Sequence, residues 1–354
     1  MTVLTALAAP ARHEDDASPR PLPWRRMAWV TWRQHRTALT AMAALLGALT
    51  VYMWITGLQL HHAYAAAIAC HPAGSIACTD LIDTFNGMGG FLSDGTVLQA
   101  VPALIGVFIG APLLAREFEA GTTRYAWTQG FGRARWALAK LVLLAVAVTA
   151  AAGAISVMFS WYYQPYFPAG NPALAIAKDV PFEASPFAPG LFDLRGVSFA
   201  AWTLAAFAIG SLAGILIRRV VPAIVVALTV YAGLAIAVGG FLRRHYVAPV
   251  VTSKLTVPGS AWIITQQWRT SGGRPASPAA LNRVLQGTQF PGKGGVPQSL
   301  SAWQDLVRHG YTQWTTYQPA SRFWTFQWIE GGWLLALSVL LIGVTVWLVG
   351  RRAV

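Results

Sequence analysis

The chain has 354 residues, of which 55% are hydrophobic and 11% charged, against roughly 25% charged in an ordinary soluble domain. That balance excludes a soluble globular protein and points to the bilayer. The net charge of +13 invites a nucleic-acid partner, but the basic residues gather at the ends of apolar runs, so no nucleic acid is expected.

Six runs of about 20 residues, charge-free but for Lys140, read as transmembrane helices: 37–58, 97–115, 136–159, 197–217, 220–241 and 332–350. They lack the dyad alternation of barrel strands, and lipid offers no partner to a bare backbone amide, which forces helices. The expected fold is an all-α integral membrane protein with six transmembrane helices, forming one transmembrane domain over residues 24–354.

Residues 1–23 read as a disordered cytosolic tail, with Asp15, Asp16, Pro21 and Pro23 suited to a solvated arm. In the stretch that follows, Trp24, Trp29 and Trp32 alternate with Arg25, Arg26, Arg33 and Arg36. Tryptophan and arginine together mark the membrane interface. Residues 24–36 are expected as an interfacial helix, either touching a cytosolic partner through Trp29, Trp32, Arg33 and Arg36 or simply anchoring the first span.

The loop after span one holds His61, His62, Cys70, His71, Cys78 and Asp80. The His/Cys mix makes a metal site conceivable. These are the only two cysteines, and on an oxidising face a Cys70–Cys78 disulfide is the better reading, so no metal is expected. Span two carries Pro102 and Pro112, which bend membrane helices where neighbours satisfy the freed carbonyl.

Between spans two and three lies a short polar elbow, residues 116–135. It holds Glu117, Glu119, Arg116, Arg124, Arg133 and Arg135, with glycines at 121, 130 and 132. It is too short for a domain and is expected as a helical elbow at the cytosolic surface. Spans four and five form a tight hairpin through Arg218 and Arg219, and Gly210 with Gly214 makes a small-xxx-small pair suited to close packing.

The loop 242–331 is expected outside the cell, rich in Gly, Pro, Trp and Gln. Short helices are expected at 279–285 and 300–308. Residues 287–294 imitate a phosphate-binding loop, but Gly294 stands where Ser or Thr should hold magnesium, and no strand leads in. An aromatic belt at 319–333 precedes span six, with Glu330 expected at the membrane boundary. Basic residues before span one, in the elbow, at Arg218–Arg219 and at Arg351–Arg352 place both termini in the cytoplasm.

The six apolar runs contain no Asp, Glu, Arg or His, and Lys140 is expected to snorkel to the cytosolic edge. An ion-coupled transporter then has nothing to couple with. A membrane hydrolase has no nucleophile–base pair, so no catalytic residue is expected, and energy must arrive from outside the chain.

At the elbow the sequence resembles a known family. LLAREFEAGTTRYAWTQGFGRARWALAKL is similar to the segment after the second span in permeases of the type-two family of ATP-binding-cassette exporters, particularly the six-span actinobacterial branch. The matching positions are Glu117 and Glu119, Gly121–Thr122, Trp127–Thr128–Gln129, Arg133 to Trp136 and Lys140–Leu141, with flanking matches at Trp29–Arg36 and Tyr317–Glu330. Gly130 and Gly132 depart from the small polar residues expected there.

The resemblance implies a multi-pass permease of a bacterial plasma membrane, without catalytic residues or cofactors of its own. A second permease subunit, in a homodimer or heterodimer, and separate cytosolic ATPases using ATP and Mg would complete the complex. The elbow would be the coupling helix, with Glu117, Glu119, Gly121, Thr122, Arg124 and Trp127 at the ATPase. Glu117, Gly121 and Arg124 would share a helical face. The cargo would be an amphiphilic or lipophilic solute. The alternative is a membrane sensor or resistance protein that binds a ligand through the loop 242–331 without transport.

Overall fold

A computed structural model describes residues 24–72, 75–88, 98–119, 133–166, 185–187, 189–254, 260–286 and 300–352. Among them six helices are long and apolar enough to cross a membrane: Leu39–Ala69, Ala100–Glu119, Ala134–Tyr162, Ser198–Ile217, Val220–His245 and Ala320–Arg351. These are spans one to six, and the fold is the helical membrane class that the composition implies. The proposed tail 1–23, most of the elbow and the 287–294 stretch lie outside the described residues.

Span four is the hub. Within its apolar window 78% of residues are buried inside the chain, against 17% in span one and 11% in span five. Spans two, three, five and six all pack on it. Small residues permit this. A Cβ added to Gly210 would lie 2.3 Å from the Gly106 carbonyl oxygen, and one on Gly214 would lie 2.5 Å from that of Ala111. A Cβ on Gly106 or on Gly110 would in turn lie 2.6 Å from the Ala206 or the Phe207 carbonyl oxygen. The Gly210/Gly214 pair therefore seats span four against span two, backbone to backbone.

At that crossing span two is not a regular α-helix. Residues Gly106–Gly110 form a π turn in which the Ala111 N–H donates to the Gly106 carbonyl. The irregularity lies between Pro102 and Pro112. Pro112 has no N–H to continue the ladder, and π turns are a recurrent way to absorb such a break. A second π turn, Val238–Leu242, ends the regular part of span five and leads into a short 3-10 turn, Arg243–His245.

The helix containing span one runs unbroken from Trp24 to Ala69, 46 residues. At about 1.5 Å per residue that is about 70 Å, more than twice a bilayer core of about 30 Å. Residues 24–36 are thus its first turns, continuous with the span. The residue after the helix, Cys70, is disulfide-bonded to Cys78 with Cα atoms 5.7 Å apart.

The loop between spans five and six contains structure that the sequence pattern left unread. Strands β1 (Val250–Thr252), β2 (Trp262–Arg269) and β3 (Thr312–Gln318) make an antiparallel sheet in the order β1-β3-β2. The short helices fall at Pro278–Leu285 and Leu300–Arg308. Trp268 of β2, Leu281, Leu285, Ala302 and Leu306 form a small core of their own. Ser277 begins the first of these helices by accepting from the Ala280 N–H.

Candidate functional site

The elbow end gathers residues from spans two, three and five. Glu117, near the end of span two, pairs with Lys140 of span three, whose ammonium also lies 5.1 Å from the Trp136 ring centroid. Lys140 is 2% exposed. It does not snorkel. The carboxylate of Glu117 reaches it inside the bundle, because a long stem directed inward can neutralise a charge that lipid cannot solvate. Glu119 points elsewhere: its Oε1 accepts from the Val220 N–H at 2.9 Å and caps the first turn of span five. The hairpin between spans four and five turns on Arg218, a non-glycine residue at φ 58° whose N–H donates to the Gly214 carbonyl. Its guanidinium lies 5.4 Å from the Phe118 ring. Three chain segments are so tied together where the elbow begins.

Of the residues expected at a partner interface, Glu117 and Glu119 therefore have partners within the chain. Gly121, Thr122, Arg124 and Trp127 lie outside the described residues. Trp29, Trp32, Arg33 and Arg36 are all exposed, and Arg33 stacks over Trp29 at 5.3 Å. Trp32 also lines an apolar cleft of about 480 Å³ between spans one, two and three, with Met42, Leu46, Ile105, Leu144 and Val148 along its walls.

The histidines at the end of span one and just beyond it do not converge. His61 Nε2 is 3.0 Å from the Trp161 carbonyl and its ring stacks on Trp161. His71 Nδ1 is 3.0 Å from the Ala69 carbonyl. Among the described residues no three His, Cys, Asp or Glu side chains come together as a metal site.

The other end of the bundle holds a buried ionic cluster. Arg243, 3% exposed, donates through Nε to Glu330 Oε2 at 2.9 Å and through Nη2 to Glu330 Oε1 at 2.8 Å. The same Nη2 pairs with Asp193 Oδ1. Phe192 lies under the guanidinium at 4.2 Å. Glu330 is fully buried and also accepts from Trp202 Nε1 at 2.9 Å. Tyr246, whose hydroxyl is 3.4 Å from Glu330, accepts from Trp333 Nε1 at 3.0 Å. This fork geometry saturates Glu330, which is what a charge away from water requires.

Span six fixes the partner loop. Gln327 Oε1 accepts from the Ser198 N–H and its Nε2 donates to the Phe192 carbonyl, both at 2.9 Å, bracketing Asp193. Gly196 sits at φ +65°, and a Cβ there would meet Gln327 Oε1 at 2.8 Å. Burial pushes the Asp193 carboxyl up to about 6; Arg243 opposes this and the second carboxylate, Glu330, adds to it. Burial alone draws Arg195 down to about 10.

Glu330 is thus buried and paired rather than solvated, and the helices that form the spans carry ionisable groups beyond the apolar runs. The apolar runs end before the helices do. The regular helix of span six begins at Phe323, ahead of the run 332–350, and span five continues through Arg243. At those ends the charges can be buried because each neutralises another. A signal existed: Gln327, Glu330 and Trp333 recur at three-residue steps, one helical face with two polar groups in an aromatic setting.

These features define a polytopic membrane protein with a tied elbow at one end and a buried ion cluster at the other. A family model described as ABC-2 membrane transporter related matches residues 43–243, more than half of the chain, and the chain belongs to that family. It is a membrane permease of the ABC transporter class, and family membership implies a cytosolic ATPase as its partner. No match was found among curated proteins or among solved structures.

Proposed function

We propose that the chain is the membrane-spanning subunit of an exporter, of the six-span actinobacterial kind. It works in a dimer and moves an amphiphilic or lipophilic solute. A separate ATPase hydrolyses ATP with Mg and drives it through the 116–135 elbow, and the chain has no catalysis of its own. The observation that carries this is the family match, which spans the first five helices and the elbow between the second and third. Supporting it, the apolar cleft beside Trp32 offers lipophilic surface within the bundle. The ties from Glu117 to Lys140 and from Glu119 to Val220 join the elbow's root to spans three and five. A push on the elbow would then move those helices as one body. In this reading both termini and the elbow face the cytoplasm.

Co-purification with the ATPase tests it. Gly121→Trp is expected to abolish the complex by filling a close approach. An intact, transporting complex carrying that change would end the coupling role.

The loop core around Trp268 favours a second reading, in which the loop captures a ligand and the chain senses without transport. Deleting 271–298 separates the two. Lost ligand binding with unchanged ATPase stimulation would favour the sensor.

A further inference from the structure

A cavity of about 150 Å³ opens beside the ionic cluster, lined by Asp193, Arg243, Phe199, Trp202 and Tyr231, with Pro102 of span two opposite. A void of that size admits a group as large as benzene. Its charged wall is asymmetric. Arg243 is 3% exposed, sandwiched over Phe192 and committed to Glu330 and Asp193. Asp193 retains 26% side-chain exposure, so the carboxylate is the ion a visitor can reach. Within the cluster one guanidinium faces two carboxylates. The neighbouring walls are aromatic, with Trp202 and Tyr231 rings edge to face at 5.6 Å. A carboxylate beside aromatic faces is the chemistry that holds organic cations.

We propose that this cavity binds an ammonium group. The site is a property of the chain itself; that its occupant is the cargo rests on the permease reading above. The raised carboxyl of Asp193, set against Arg243 and Tyr231 of span five and Glu330 of span six, adds a pH signature. A cation bound there is released as Asp193 takes up a proton below about pH 6.

The test is titration calorimetry of the full chain in dodecyl maltoside micelles at pH 8, using dodecyltrimethylammonium, tetramethylammonium and dodecyl sulfate. Saturable binding of the ammonium compounds is expected. Asp193→Asn, which leaves the Glu330–Arg243 fork in place, is expected to weaken it by roughly tenfold or more. Tyr231→Leu is expected to weaken it by about three- to tenfold. Both variants are compared only where their size-exclusion profile matches the parent. A strong preference for the dodecyl compound assigns a membrane-borne amphiphile, and equal affinities assign a soluble amine. Undiminished binding in both variants, or tighter binding of dodecyl sulfate, overturns the site. The reconstituted complex then separates the two claims. An assembled ATPase that ignores the bound ammonium overturns the cargo role and leaves the permease reading. Failure to assemble with any ATPase sinks the permease reading and leaves the site.

Discussion

At the elbow end the ion pair joins Glu117 and Lys140, 23 positions apart, on two helices consecutive in the chain. At the sheet end Arg243 joins Asp193, 50 positions away, and Glu330, 87 positions away. The first pair is local and lies where the chain leaves the bundle. The second closes spans five and six over the segment that leads into span four. The difference is one of consequence. An element tied locally can shift with its neighbours, whereas a charge network spanning remote segments permits one arrangement of them. The elbow end is built to move as a unit, and the sheet end to hold.

The sharpest way to break that contrast is at Glu330. Glu330→Ala removes two of the three carboxylate oxygens that accept from Arg243, leaving it Asp193 alone, and the acceptor of Trp202 Nε1. Loss of one partner of a buried pair costs about 3–5 kcal/mol. A large drop in Tm in detergent is expected. The triple change Arg243→Met, Glu330→Leu and Asp193→Asn should recover much of it, since no uncompensated charge of the cluster remains. If Glu330→Ala melted like the parent, the sheet end would not be the fixed one.

Next comes Asp193, whose carboxyl is raised to about 6 from 3.8. A carboxyl raised in the folded state contributes stability below the unfolded value, and that stability is lost as pH rises through the folded one. Compared with Asp193→Asn, the parent Tm should therefore fall between about pH 4 and pH 6. A two-unit shift corresponds to at most about 3 kcal/mol. A parent that gained on Asp193→Asn over that interval would reverse the sign.

Glycine contacts give a smaller effect that bears on the hub. Gly210→Ala drives a Cβ toward the Gly106 carbonyl and should cost about 1–3 kcal/mol. Gly233→Ala, in span five with nothing within 4 Å of its Cβ position, should be neutral or slightly stabilising. Equal Tm values for the two would deny the close crossing of spans two and four.

Much of this was legible in the chain. Six nearly charge-free runs mark six helices because a bilayer tolerates little else. The two cysteines stand close enough in sequence to be bonded. The short loop helices announce themselves by their apolar spacing. The strands did not, because Trp262–Arg269 and Thr312–Gln318 carry polar residues on both faces and break a clean alternation, signalling only through Thr, Ile, Tyr and Trp content. The ion cluster stayed hidden for a different reason. Asp193, Arg243 and Glu330 each sit beside an apolar run and read singly as interfacial charges; their neutralisation exists only in three dimensions.

The smallest effect asks the most of the comparison. Glu119 caps Val220 through Oε1, yet its place in the elbow suits it equally to face an ATPase. Glu119→Gln keeps an oxygen acceptor for the Val220 N–H and removes the charge. The cap should lose only a few tenths of a kcal/mol of its interaction with the helix N-terminus, within about 2 °C of the parent Tm for a chain of this size. An ATPase contact built on the charge would instead lose affinity, measured as weaker co-purification at low salt and little difference at high salt, where screening mutes both proteins alike. Unchanged co-purification at low salt would confine Glu119 to the hairpin. The elbow would then meet its partner through residues beyond Glu119, and the tie to span five would transmit a motion that Glu119 does not itself receive.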